Sequence, residues 1–302
     1  MLVDAHVHVW DLRRLDYPWL ASEPVLGRTF TYEQVDTADG AVEHAVFVQA
    51  DCLAEQSLAE AQWVASTADA WPQLSAIVAA ADLRSGSSLD AQLDALACLE
   101  TPASRRVRVS GIRHLLQGEP DGELTDGRSA RALVDGLKRL AERGLRFDVC
   151  VRHQQLNAVT DLLEQVPQLQ TVLDHVGKPP VDEGIATRAG RAWAQAIDRL
   201  ARLPTAHVKL SGLAAEASSA ASLDAHAEQF LVHAITAFGP ERSMIGSDWP
   251  VSALTGATGT LAGWRSRVRA AAGVAQVTPA GLRSIEADTA MRFYGLPVDE
   301  AS

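Results

Sequence analysis

The sequence predicts a single α/β domain, a (β/α)8 barrel that spans residues 1–302. Three observations predict it: short runs rich in β-branched residues recur along the chain, stretches with helical periodicity lie between them, and the runs number eight. Strands that alternate with helices favour parallel pairing, and eight such units close naturally into a barrel. The length fits, because barrels of about 250 residues form one domain. A doubly wound open sheet is the alternative.

The predicted strands are short apolar runs, which are typical of a sheet buried on both faces. In chain order they are LVDAHV from Leu2, HAVFVQA from His44, SAIVAA from Ser75, VSGIRH from Val109, LRFDVCV from Leu145, QTVLDHV from Gln170, AHVKLSG from Ala206 and SMIGSD from Ser243.

Six stretches between the strands have apolar residues three and four apart and Gly or Pro near their ends, which predicts helices. They cover 57–71, 89–100, 130–144, 156–167, 188–202 and 224–239. Two segments predict loops at the carboxyl ends of strands: 10–28, which contains Trp10, Tyr17 and Trp19, and 253–263, which is rich in Gly, Thr and Ala. Loops of this kind build the active-site face of a barrel.

Composition and charge exclude several classes of protein. Hydrophobic residues make up 47% and charged residues 22%, as in a globular protein with a large core. The formal charge of -11 disfavours nucleic acid and anionic lipid as partners. Cys52, Cys98 and Cys150 are too scattered for a disulfide framework or a CxxC zinc motif. No apolar run of about 18 residues and no signal-peptide pattern occurs, so we expect a cytoplasmic protein without a membrane segment.

Polar residues are concentrated where the predicted strands end. His6 and His8 share one face of the first strand, because side chains alternate along a strand. The set comprises His6, His8, Gln49, Asp51, Arg113, His114, Asp148, Arg152, His153, Asp174, His175, Lys178, Lys209, Ser211 and Asp248. Buried charged groups cost free energy unless they are paired or bind a metal. The set therefore predicts an active site at this end of the barrel.

The chain resembles the amidohydrolase superfamily, and within it the branch typified by sugar-acid lactonases. The resemblance rests on the ordered segments VDAHVHVW, YPWL, GIRH, VLDHVGKPP, HVKLSGL and GSDWPV. It implies a reactive centre formed by His6, His8, His175 and Asp248. Binuclear members bridge two metals with a strand 4 carboxylated Lys or a Glu, whereas strand 4 of this chain ends in Arg113 and His114. A two-metal site is not expected.

The same four residues predict either a mononuclear metal site or a metal-free one. Three imidazoles and one carboxylate, from His6, His8, His175 and Asp248, suit one divalent ion, with zinc favoured by the ligand types. Without a metal, the imidazoles orient the substrate carbonyl. In both cases Asp248 is the predicted general base, which takes a proton from water and returns it to the leaving oxygen.

Six further residues are predicted substrate contacts. Arg113 offers a planar fork for a carboxylate or hydroxyls, and His114 a donor for the oxyanion; an ion pair between Arg113 and Asp148 is the alternative. The predicted contacts are Arg113, His114, Gln49, Asp148, Trp10 and Trp249. The amide of Gln49 and the carboxylate of Asp148 suit sugar hydroxyls. The two tryptophans suit the apolar face of a ring, or else they fix a loop to the barrel rim.

The resemblance implies a hydrolase that opens the lactone of a sugar acid, such as an L-fucono-, L-rhamnono- or galactono-lactone, and a small-molecule lactone as its partner. A lactonase for a dicarboxylated product of aromatic degradation, a pyrone dicarboxylate or muconolactone, is a second possibility. Such a substrate needs cations, which Arg113, Arg152, Lys178 and Lys209 offer. The residues are also compatible with a related metal-dependent decarboxylase and with a non-catalytic sugar-acid-binding barrel.

Overall fold

The computed structural model describes residues 1–99, 107–120, 122–125, 127–255 and 260–297. Eight parallel strands form one sheet in the order β1 to β8. They are β1 Leu2–Val7, β2 Val42–Val48, β3 Leu74–Ala80, β4 Arg108–Arg113, β5 Arg146–Val149, β6 Thr171–Leu173, β7 Ala206–Leu210 and β8 Ser243–Ile245.

The ends of the sheet meet, which confirms the barrel and excludes the open sheet. Val7 forms a parallel bridge with Trp249, just beyond β8. The Asp248 N–H donates to the His6 carbonyl over 2.8 Å, and the His8 N–H donates to the Trp249 carbonyl over the same distance. These bonds place the residues after β8 directly beside the two histidines of β1.

Ten α-helices lie within the described ranges. They are α1 Ser57–Ser66, α2 Ser87–Ala97, α3 Ser129–Glu142, α4 Leu156–Leu163, α5 Arg188–Leu200, α6 Ala220–Phe238, α7 Val251–Thr255, α8 Leu261–Val274, α9 Pro279–Arg283 and α10 Thr289–Tyr294. The six predicted helices correspond to α1–α6, although Glu100, the last residue of the second prediction, lies outside the described residues.

The loop predicted over 253–263 is only partly right. The short helix α7 occupies its first residues, and α8 begins at Leu261, where the Thr260 hydroxyl caps the helix by accepting from the Gly263 N–H. Residues 256–259 of that prediction lie outside the described residues. Ser and Thr caps of the same kind begin α5 and α6.

The interior of the barrel contains small apolar side chains together with the C-terminal segment. The interior cluster consists of Val3, Ala5, Val46, Val48, Ala76, Val78, Val172, Met244, Ala287, Ala290, Phe293, Tyr294 and Leu296. Arg146 and Arg108, at the starts of β5 and β4, donate to the carbonyls of Phe293 and Gly295. The segment around α10 therefore closes the amino-terminal end of the barrel. In the described part of the chain, no helix is long and apolar enough to cross a membrane.

A register shift in β1 directs its two histidines to the barrel axis. Between Asp4 and Val7, three residue steps on β1 face two on β2. Ala5 belongs to the interior cluster, whereas Val7 packs in the outer core between strands and helices. The extra residue of this bulge lets His6 point inward above Ala5, and alternation then brings His8 to the same face.

A buried carboxyl joins the first βα loop to the barrel. Glu60 of α1 is 1% exposed, and its Oε1 accepts from the Tyr17 hydroxyl and the Ala50 N–H, each over 3.1 Å. Burial raises the pKa of Glu60 from 4.5 to about 7. Ionisation of this group in the folded protein therefore occurs near neutral pH.

Because the pKa of Glu60 is higher in the folded than in the unfolded chain, its contribution to stability is present below pH 4.5 and is lost as the pH rises through about 7. We expect Glu60→Gln to remove this loss, which amounts to about 3 kcal/mol. Urea denaturation at pH 5 and pH 8 measures it. The exposed neighbour Glu55 gives the control variant Glu55→Gln. If the free energy of unfolding changed with pH in the same way in wild-type and Glu60→Gln protein, the raised pKa assigned to Glu60 would be contradicted.

Candidate active site

A cavity of about 200 Å³ opens at the carboxyl ends of the strands. Its charged and imidazole side chains come from the ends of β1, β2, β4, β6 and β8 and from the loop after β7. They are His8, Asp51, Arg113, His175, Lys178, Glu216 and Asp248. This is the end of the barrel where the sequence predicts the active site.

Backbone conformations around this cavity are unusual. Among the described residues, four of the eight non-glycine residues with positive φ line it: Asp51, His175, Lys178 and Asp248, with φ between 50° and 61°. Such conformations cost of order 1–3 kcal/mol each and persist only where surrounding contacts impose them. At Gly212 a Cβ atom would lie 2.3 Å from His175 Nδ1, so only glycine allows this ring position.

Three imidazoles converge on one oxygen of Asp248. The distances from Asp248 Oδ1 to the Nε2 atoms of His6, His8 and His175 are 3.8, 3.5 and 3.7 Å. His6 Nε2 and His8 Nε2 are 3.0 Å apart. All four side chains are at least nine-tenths buried. The structure thus brings the four predicted central residues together.

Other contacts orient each of these groups. His8 Nδ1 donates to the Val48 carbonyl over 2.7 Å, which leaves a lone pair on Nε2. His175 Nδ1 lies 3.0 Å from the Ser211 hydroxyl. Asp248 Oδ2 accepts from the Ser252 hydroxyl over 2.7 Å. Partners of this kind fix ring orientation at metal and proton-transfer sites.

Burial and neighbouring charges set the protonation states. Burial lowers the pKa of His175 to about 4 and also lowers the pKa values of His6 and His8. For Asp248, burial would raise the pKa, but the neighbouring imidazoles outweigh it and lower the pKa below its ordinary value. Near neutral pH the site therefore contains neutral imidazoles beside an ionised carboxylate, the states required of metal ligands and of a general base.

Three of the four predicted ligands have donor atoms that fit one metal ion together. His6, His8 and Asp248 each offer an atom within 4.8 Å of the others, whereas His175 forms a second such group with His6 and Asp174. Ligands about 2.0–2.2 Å from a tetrahedral zinc ion lie about 3.3–3.5 Å apart. The 3.0, 3.5 and 3.8 Å separations of the first group are close to this spacing. Three protein ligands leave the fourth position open, as in catalytic sites.

A buried ion cluster lies directly behind His6. Lys209 Nζ contacts Asp148 Oδ2 at 2.5 Å, Asp174 Oδ1 at 3.0 Å and His6 Nδ1 at 3.0 Å. The Tyr294 hydroxyl of α10 donates to the same Asp148 oxygen over 2.9 Å. We call Lys209, Asp148, Asp174 and Tyr294 the lysine cluster. Its members are at most 1% exposed, so Asp148 is placed behind the cavity and not at its wall.

Arg113 lines the cavity as predicted, but its partners differ. Its guanidinium donates to the Gln49 carbonyl, and Nη1 lies 3.4 Å from Asp174 Oδ2, so the ion pair with Asp148 is not formed. Its buried Nε has no hydrogen-bond partner among the described residues. His114, one residue later, contacts Arg84 and Glu119 instead of the cavity.

The other predicted contacts also lie outside the cavity lining. Gln49 is 2% exposed, and its Oε1 accepts from the Asp51 N–H. Trp10 is fully buried, donates to the Arg28 carbonyl and packs on Phe30. Trp249 packs on the same Phe30 ring, with ring centroids 5.6 Å apart. Both tryptophans thus fix the first loop to the barrel rim instead of facing a substrate ring.

Sequence reasoning missed several residues at the cavity or behind it. Glu216, in the loop after β7, forms an ion pair with Lys178 over 3.2 Å at the cavity wall. Cys150, interpreted as a buried hydrophobe, contributes to the lining, as does Trp19. Tyr294 had no signal, since it lies far from any strand end in sequence. For Glu216 the signal was its position in a βα loop.

The chain is similar to known proteins along nearly its whole length. The family described as amidohydrolase matches residues 3–296. An L-fucono-1,5-lactonase from Burkholderia multivorans is 31% identical over 98% of this chain and 96% of its own length. Two crystal structures of an amidohydrolase from Burkholderia multivorans, one with bound zinc and one with bound HEPES, have TM-scores of 0.82 and 29% identity, covering 98% of this chain and 100% of theirs. The chain therefore belongs to the amidohydrolase family, as the resemblance of its motifs indicated.

Proposed function

We propose that this protein is a lactonase that hydrolyses the lactone of a sugar acid to the free acid. The observation that carries the proposal is the ionised Asp248 carboxylate among three neutral imidazoles at a small cavity at the carboxyl ends of the strands. The similarity to an L-fucono-1,5-lactonase along nearly the whole chain supports the lactone as substrate.

The charges of the cavity favour a neutral, hydroxyl-rich ring. The carboxylates of Asp51, Glu216 and Asp248 face the cations of Arg113 and Lys178, and Glu216 already pairs with Lys178. A dianionic substrate would meet more acids than bases, whereas sugar hydroxyls can donate to the carboxylates. The volume of about 200 Å³ is below the 300–1,000 Å³ of drug-sized sites and suits a single six-carbon aldonolactone.

In the proposed mechanism, Asp248 moves the proton during hydrolysis. Its Oδ1 faces the imidazoles, and its low pKa keeps it ionised, so it can accept a proton from an attacking water. When the tetrahedral adduct collapses, the protonated carboxyl can return that proton to the ring oxygen. Ser252 holds the other oxygen and so fixes the direction of Oδ1.

Two groups can stabilise the oxyanion, the Arg113 guanidinium and a metal ion held beside Asp248. The Arg113 guanidinium is buried, which strengthens its interaction with a developing negative charge. A zinc ion held by His6, His8 and Asp248, with His175 beside it, would polarise the carbonyl and lower the pKa of water when bound. His114 has no part in this step, because its ring lies outside the cavity lining.

Removal of the proposed base is the direct test of the mechanism. We expect Asp248→Asn to lower kcat by about 10²- to 10⁴-fold on the best lactone, because the amide cannot accept the proton. A pH-indicator assay measures the rate, and circular dichroism confirms the fold. Asp82→Asn, which changes an exposed carboxylate at the same end of the barrel, is the control. Near-full activity of Asp248→Asn would remove Asp248 from the mechanism.

Elemental analysis tests the metal site. We expect purified protein to bind up to one zinc ion per chain and His8→Ala to lose it, since His8 Nε2 is one of three converging donors. His153→Ala is the matched control, because His153 Nδ1 bonds to the Lys178 carbonyl outside the donor group. Metal-free protein that retains full activity in chelator would show that the imidazoles act directly on the substrate.

A substrate pair tests the sugar assignment. We expect faster hydrolysis of a six-carbon aldonolactone than of pyrone dicarboxylate, with a kcat/KM that changes little between low and high salt. Asp51→Asn should narrow this preference, because it removes a carboxylate from the cavity wall. Preferred hydrolysis of the dicarboxylate, with a steep salt dependence that Arg113→Met abolishes, would instead establish the dicarboxylate lactonase.

A further inference from the structure

Lys209 has no place in the mechanism above, yet it contacts one of the proposed metal ligands. It is fully buried in β7, behind His6 and away from the cavity lining. Its Nζ has three acceptors at hydrogen-bond distance, on Asp148, Asp174 and His6. The contacts with Asp148 Oδ2 and His6 Nδ1 are hydrogen bonds and the contact with Asp174 Oδ1 is an ion pair, and an ammonium group can only donate in such contacts.

The contact determines which nitrogen of His6 carries the proton. Since Lys209 can only donate, His6 Nδ1 must accept, and a neutral His6 ring then carries its proton on Nε2. His6 Nε2 can donate to His8 Nε2, 3.0 Å away. His8 Nε2 can accept, because His8 Nδ1 donates to the Val48 carbonyl. The hydrogen bonds from Lys209 to Val48 thus form a consistent chain without a metal.

Metal ligation by His6 requires the opposite arrangement. A metal ion needs the lone pair of Nε2, so the proton must move to Nδ1. The structure provides an acceptor for that state, because Asp174 Oδ1 lies 3.3 Å from His6 Nδ1. Lys209 and Asp174 therefore compete for the same nitrogen, one as donor and the other as acceptor.

We propose that Lys209 is a positioning residue that acts through His6: its ammonium group occupies His6 Nδ1 and so opposes metal ligation at Nε2. Asp148 and Tyr294 support this role by holding the ammonium from the other side. The lysine cluster then sets how tightly the site binds zinc. The proposal rests on the metal site of the proposed function and is independent of the identity of the lactone.

Zinc affinity of the apo protein, measured by competition with a chromophoric chelator, tests this. We expect Lys209→Met to bind zinc at least about tenfold more tightly than wild type, within the range of effects for groups that contact a metal ligand. A merely structural role predicts weaker binding, because His6 would lose its support. The opposite signs of the two outcomes make the measurement decisive.

Two matched variants separate the hydrogen bond from the charge. The double variant Asp148→Asn, Lys209→Met removes one buried charge of each sign, keeps the net charge and avoids an unpaired Asp148 carboxylate. It should also bind zinc more tightly, and it carries the test if the single variant does not fold. Lys178→Met removes a cation that contacts Glu216 and not His6, and should change zinc affinity far less.

Nitrogen NMR of the His6 ring in apo protein provides a readout independent of zinc and of activity. We expect the Nε2–H tautomer in wild type and the Nδ1–H tautomer in the double variant, where Asp174 becomes the partner of Nδ1. Failure of lactone hydrolysis alone leaves these outcomes intact. Unchanged or weaker zinc binding in both Lys209 variants, or an unchanged His6 tautomer, would overturn the proposal.

Discussion

The contact of Lys209 with two carboxylates is the interaction on which the polar half of the barrel depends. Asp148 lies in β5, Asp174 directly follows the adjacent strand β6, and both are fully buried, so without a cation their charges would lie together in a region of low dielectric. Removing one partner of a buried ion pair typically costs about 3–5 kcal/mol. Lys209, from the next strand, forms an ion pair with each carboxylate and reaches His6 as well. One side chain thus joins β1, β5, β6 and β7 behind the cavity.

This arrangement connects the reactive end of the barrel to the C-terminal segment at its other end. Tyr294 reaches Asp148 through an interior filled by small side chains such as Ala5 and Ala76, which leave room for the phenol ring. The interior cluster that surrounds Tyr294 is apolar and brings no further charge near Asp148. The Tyr294 hydroxyl donates to the same Asp148 oxygen that Lys209 contacts. The hydrogen bond between Tyr294 and Asp148 therefore links the apolar packing at the amino-terminal end of the barrel to the buried charges behind the cavity.

The sequence predicted the barrel and its eight strands, because strand and helix periodicity are local properties. The resemblance of its motifs implied the four central residues, and the structure brings these side chains together. It did not predict which strand-end residues face the cavity. His114 follows the inward-facing Arg113 by one residue, so alternation alone places it on the other side. Asp148 also faces the inside of the barrel, but it lies behind His6 and does not reach the cavity wall. Tyr294 contacts Asp148 across 146 positions of sequence, a distance over which no local pattern carries information.

The register of β1 shows why the two central histidines could be identified while their surroundings could not. A regular strand would also place His6 and His8 on one face, so the pattern holds with or without the bulge between Asp4 and Val7. Only the bulge turns that face inward while Ala5 below it remains in the apolar interior. Asp51 and Asp248 show the same difference between residue type and position. Their carboxyl groups are visible in the sequence, but the left-handed backbone found where they line the cavity is not. Residue type determines the available chemistry, whereas local departures from regular backbone geometry determine where that chemistry is directed.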